Sequence, residues 1–186
     1  MRFAQRKQDG FSMVELVIAI FIIGIISAVA MSRMLEGDIF NASVVRDQII
    51  SLARSTQQQA LGRSDVALIL RPNGDSLELL TVEDFVNVTT FTELQSATID
   101  IRSVELAGDV NVATSCGATP GTNAIANATP MVIQFNELGD LFRGGVVGSV
   151  GYPITASTAM RICVNDNPLN SVCVSPAGFA FAGDCQ

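Results

Sequence analysis

The apolar pattern of the chain changes period twice. From Phe11 to Met31 apolar residues run almost without a break, and the only charge among these 21 residues is Glu15. A helix rising about 1.5 Å per residue would carry this stretch roughly 30 Å, the thickness of a bilayer core. After Arg33 the apolar positions thin out to Leu35, Ile39, Ala42, Val45, Ile49, Leu52 and Ala53, with Arg46, Asp47, Gln48 and Arg54 between them. Steps of three and four residues predict an amphipathic helix. The glycine at Gly62 is its natural stop. The two stretches together predict one helix of about 50 residues, with Gly24 and Gly37 as its weak points and Asp38 available as a second N-cap.

Beyond Gly62 the rhythm becomes short and strand-like. "DVALILRPNGDSLELLTV" places two β-rich runs around Pro72-Asn73-Gly74, and an Asn-Gly pair supplies the positive φ angles of a tight hairpin turn. "ATIDIRSVEL", "DVNVA", "MVIQF", "MRICV", "VCVSP" and "GFAFA" read as further strands, and "VATSCGATPGTNAIANATP", residues 112–130, reads as a surface loop. Short strands separated by turn residues predict an antiparallel sheet with no βαβ units. The fold class is therefore α+β: one long N-terminal helix, its first half transmembrane, packed on an antiparallel β domain.

Charge sharpens the reading of the first block. Arg2, Arg6 and Lys7 precede it with only Asp9 opposed, which keeps the N-terminus cytoplasmic and sends the body across the membrane. A conventional secretory signal would account for the basic flank and for a cut after Ala28-Val29-Ala30, releasing a binding module. The apolar run is, however, longer than the usual signal core. A plain anchor, carrying a periplasmic binding module or enzyme, leaves Glu15 unexplained. An acid in a span costs about 2.5–3.5 kcal/mol on insertion scales, and such residues are functional by default. The body excludes other roles: from Ser64 onward 4 arginines face 13 acids, a surface that repels phosphate backbones and argues against nucleic acid. There is no histidine anywhere, and the only lysine is Lys7, so the commonest catalytic base and metal ligand are missing and no catalytic residues are expected.

"GFSMVELV", residues 10–17, resembles the processing site of type IV pilin-like proteins: a short charged leader ending in glycine, then phenylalanine, a glutamate four residues on, and a long apolar helix. The resemblance implies that a prepilin peptidase cuts after Gly10 and methylates the new amino terminus on Phe11. Glu15 then stands at the family's glutamate. A fresh α-ammonium on Phe11 in an apolar bundle needs an opposite charge, and Glu15 of its own or an incoming subunit supplies it. Many members carry a proline late in this helix, whereas the first proline here is Pro72.

The implied organisation is a leader over 1–10, a transmembrane and filament-core helix over 11–32, its amphipathic continuation over 33–62, and a β-rich periplasmic or extracellular domain over 63–186. "LARSTQQQALGRSDVALIL", "VIQFNELGD" and a cysteine-bearing C-terminal hairpin look most like minor pilins, including the mannose-sensitive haemagglutinin type, or minor pseudopilins of type II secretion. The expected partners are the peptidase/N-methyltransferase, other pilin or pseudopilin subunits and an inner-membrane assembly platform. The expected location is the inner membrane, single-pass, and then a pilus or pseudopilus filament.

Four cysteines, Cys116, Cys163, Cys173 and Cys185, lie in the part to be exported, where disulfides form, and they permit three pairings. Cys163 and Cys173 are equidistant from Pro168, so a symmetric hairpin would bridge them and leave Cys116 for Cys185. The alternative joins Cys173 to Cys185, closing a C-terminal loop as pilins often do. Asn165, Asp166, Asn167 and Asp184 offer oxygen ligands of the kind major pseudopilins use for calcium. Their spacing reproduces no EF-hand loop, and Asn/Asp clusters are mostly turn formers. Neither metal nor cofactor is expected.

Overall fold

In the computed structural model the described residues are 13–34, 37–102, 104–110, 116 and 123–185, with side chains described from Met13 to Ser27 and from Asn41 onward, Asn123 excepted. The chain divides into two compact units at Gly37/Asp38. The first contains helix α1, Met13–Met34. The second contains nearly all of helix α2, Gly37–Ala60, and every strand. Residues 35 and 36, where a single long helix would be continuous, lie outside the described residues.

The strands form two antiparallel sheets. One has the order β3-β2-β1-β6-β7-β8, built from β1 (Val66–Asn73), β2 (Ser76–Asn87), β3 (Thr90–Asp100), β6 (Met131–Phe135), β7 (Leu141–Val146) and β8 (Ile154–Thr155). The other has the order β11-β10-β9-β4-β5, built from β4 (Leu106–Val110), β5 (Asn123–Ala124), β9 (Met160–Val164), β10 (Asn167–Val174) and β11 (Ala180–Ala182). The predicted loop over 112–130 thus contributes a two-residue strand, β5, against β4.

One core joins these parts. Ala42, Val45, Ile49, Leu52 and Ala53, the predicted stripe of α2, are buried against Leu68, Leu70, Leu79 and Ile133 of the first sheet and Met160, Ile162, Val172 and Val174 of the second. Leu35 and Ile39 of that stripe lie outside the described side chains. Strand side chains alternate between faces, so Ala67, Ile69, Leu80, Val82, Phe85 and Val132 form a second, smaller cluster on the opposite face of the first sheet. Within the main core, the Thr81 hydroxyl donates to Thr56 Oγ1 at 2.7 Å, while Thr56 donates to the Leu52 carbonyl at 2.9 Å. Both residues are buried, and the chain of donors leaves neither hydroxyl unpaired between α2 and β2.

Turn chemistry sets the boundaries. The helix stops at Ala60, and Gly62 takes φ 76° while its N–H donates to the Glu137 carbonyl at 2.9 Å. In the first hairpin Asn73 pairs with Ser76, so Asn73 ends β1 and the turn is Gly74-Asp75, with φ 60° at Gly74. A type II′ turn wants glycine at that first position.

The disulfides correct one expectation. Cys116 bonds Cys163 and Cys173 bonds Cys185, with Cα–Cα separations of 5.8 and 5.2 Å; the Cys163–Cys173 and Cys116–Cys185 pairs are not formed. The reason is register. The β9–β10 turn is centred on Asn165-Asp166, both at positive φ, and an irregularity between Asn167 and Val172 brings Arg161 opposite Cys173. Pro168 therefore lies inside β10, and Cys163 is two residues out of line with Cys173.

Candidate functional site

Glu15 sits in the first turn of α1 and is exposed, as are eleven large apolar side chains of the same helix between Met13 and Ile26. Met13, Val14, Ile22 and Ile23 are 85, 66, 52 and 61% exposed, and at 100° per residue they point to all sides. A helix apolar all round is made to be buried by something, a bilayer or other helices. Covering eleven such side chains yields on the order of 20 kcal/mol gross, against about 3 kcal/mol for carrying one carboxylate. The acid is thus tolerable in this helix, and once covered it would need a polar or charged partner. Ser27 has no such need, because its hydroxyl donates to the Ile23 carbonyl at 2.7 Å. Among the described residues, no helix is long and apolar enough to cross a membrane. Gly10 and Phe11, the cleavage site expected from sequence, lie outside the described residues.

Residues 5–31 match the prokaryotic N-terminal methylation motif. The motif covers Gly10, Phe11, Glu15 and most of α1, and it supports a type IV pilin-like chain processed as a prepilin. No curated protein and no solved structure matches the chain.

The body distributes its polar groups as structure. Asn165 Oδ1 accepts from the Glu105 N–H at 2.7 Å, Asn167 Oδ1 accepts from Leu169 N–H at 2.9 Å, and Asp184 faces Arg161. These residues, considered above as oxygen ligands, are therefore spread over separate tasks. Among the described residues, no group of three or more His, Cys, Asp or Glu is placed to hold a metal. At the end of β3 the Arg102 guanidinium hydrogen-bonds Asp100 and holds that carboxyl at about 2, below its ordinary 3.8. A depressed carboxyl contributes stability above its unfolded value, and the contribution fades as pH falls through the folded one. Arg102→Leu should return the Asp100 titration toward 3.8, readable by NMR of the side-chain carboxyl. An unmoved titration would show that Arg102 is not the cause. Burial pushes the Tyr152 phenol up.

Sequence reasoning passed over one residue here. Arg161, the charge in "MRICV", is 1% exposed. An arginine in the middle of an otherwise apolar strand was the available signal.

Proposed function

We propose that this chain is a structural subunit of a type IV pilus-class filament, a minor pilin or a type II secretion minor pseudopilin. It is made as a prepilin with its leader over 1–10 and is cut between Gly10 and Phe11. The observation that carries this reading is the methylation motif over residues 5–31, read together with a helix whose described apolar side chains are exposed on all sides. On this reading residues 11–32 wait in the inner membrane with the N-terminus cytoplasmic, then leave it for the apolar core of a filament. The methylated ammonium on Phe11 pairs with Glu15, and the disulfide-bonded body faces outward. The protein acts by assembling and has no turnover of its own; peptidase, assembly platform and motor are separate chains.

Mass spectrometry of the mature N-terminus tests the reading. The expected result is a chain starting at N-methylated Phe11. A start at Met31, the product of an ordinary signal peptidase, or an uncut chain would overturn it.

A further inference from the structure

On β9 the residues Met160, Ile162 and Val164 enter the main core, so Arg161 and Cys163 point to the other face of the sheet. Opposite Arg161 stand Cys173 on β10 and Asp109 on β4. Arg161 is thus flanked on its own face by one member of each disulfide. Its guanidinium is buried, and among the described residues none of its three nitrogens has a hydrogen-bond partner. Among the described residues the nearest charge is Asp184, with Oδ1 at 3.9 Å from Nη1, and that oxygen is likewise buried without a hydrogen bond.

A guanidinium carries five N–H donors, and one buried without partners is held in place by whatever covers it. The cover described here is the C-terminal segment. Gly183 N–H donates to the Ser171 carbonyl at 2.9 Å, Cys185 Sγ lies 3.5 Å from the Met160 carbonyl oxygen, and Asp184 sits between them. The bond from Cys185 to Cys173, which faces Arg161 across the strands, fixes this segment over the guanidinium.

We infer that Cys173–Cys185 is a redox latch over Arg161. Closed, it presses Asp184 onto the guanidinium and seals the outer face of the second sheet; open, it frees the C-terminal segment and presents a cation on an acidic surface. Opening breaks the S–S bond with two electrons and two protons from an external dithiol, which leaves as its own disulfide, and it yields two thiols. The oxidation state of the body is thereby displayed as surface charge, distinguishing a reduced subunit from a mature one.

The test uses the full chain in detergent micelles, treated with an arginine-directed dicarbonyl and read by peptide mass spectrometry. Arg102, 70% exposed at its side chain, serves as the internal reference. In the oxidised chain Arg161 should stay unmodified while Arg102 reacts. In C173S/C185S its labelling should rise about tenfold or more, since local opening is now the easy step. In C116S/C163S, which leaves Asp184 tied down, it should change little. Hydrogen exchange at β1 and β6 is measured alongside. Three results would each overturn the latch: Arg161 reactive in the oxidised chain, Arg161 still sealed in C173S/C185S, or loss of protection in β1 and β6 in that variant. The last would mean that the bridge holds the whole fold and not this face.

Discussion

Glu15→Ala is expected to leave the cut after Gly10 intact and to reduce incorporation into filaments by roughly two to four orders of magnitude. Two effects of opposite sign meet at this position. In the unprocessed chain the carboxylate is a burden of about 2.5–3.5 kcal/mol in an apolar span, so alanine makes insertion easier. On the proposed reading, the ammonium that cleavage creates on Phe11 then lacks its counter-charge, and breaking a buried pair from one side costs about 3–5 kcal/mol. In the proposed filament the second effect wins, because it acts at docking, where the ammonium would be stripped of water. Glu15→Gln keeps the shape and a hydrogen bond but not the charge, and it should fail with alanine. Comparing methylated chain in the membrane with chain in sheared filaments, by quantitative mass spectrometry, measures the partition. Normal incorporation of Glu15→Ala would remove the ion-pair role from the proposal and leave the cleavage reading standing.

Much of the body was legible because burial imposes a period. Val45, Ile49, Leu52 and Ala53 recur at helical steps and are buried, and "MVIQF" and "MRICV" are the strands β6 and β9. What could not be read depended on exceptions to local rules. Strand β7 was missed because Gly144-Gly145 in "LFRGGV" looks like a turn. In the sheet Gly144 lies so close to the Val132 carbonyl oxygen that a β carbon would not fit, so the glycine serves close approach and not a bend. Of the two disulfide pairings, the Cys173–Cys185 loop forms and the Cys163–Cys173 bridge does not, for a related reason: symmetry about Pro168 suggests a hairpin centred there, while Asn165 and Asp166 hold the positive φ angles of the true turn. An Asn-Asp pair tolerates that conformation, so the signal was present and outweighed by the symmetry of the cysteines. For the N-terminal site, the resemblance of "GFSMVELV" to a prepilin processing site carried the reading, because Gly10 and Phe11 lie outside the described residues.

Gly178→Ala should destabilise the body by about 2–5 kcal/mol, the sum of a left-handed backbone penalty and an overpacking cost. Gly178 has φ 75°, and a β carbon there would fall inside the Gly139 carbonyl oxygen and press on Gln57 Nε2. Those neighbours join three elements: Gln57 of α2 donates to the carbonyls of Gly139 and Ala177, at 3.2 and 2.8 Å. One methyl group therefore parts the end of α2 from two loops at once. Just beyond, Arg54 stacks on the Phe179 ring at 4.7 Å and donates to the Ala180 carbonyl, holding the approach to β11. Gly62→Ala separates the two contributions, because Gly62 has φ 76° but nothing within 4 Å of a new β carbon. It should lose only the backbone part, about 1–2 kcal/mol. At roughly 2–4 °C per kcal/mol for a domain of this size, thermal unfolding followed by circular dichroism should place Gly178→Ala about 4–20 °C below the parent and clearly below Gly62→Ala. Equal midpoints for the two variants would mean that the Gly178 loop moves aside freely and does not lock the C-terminal segment to α2.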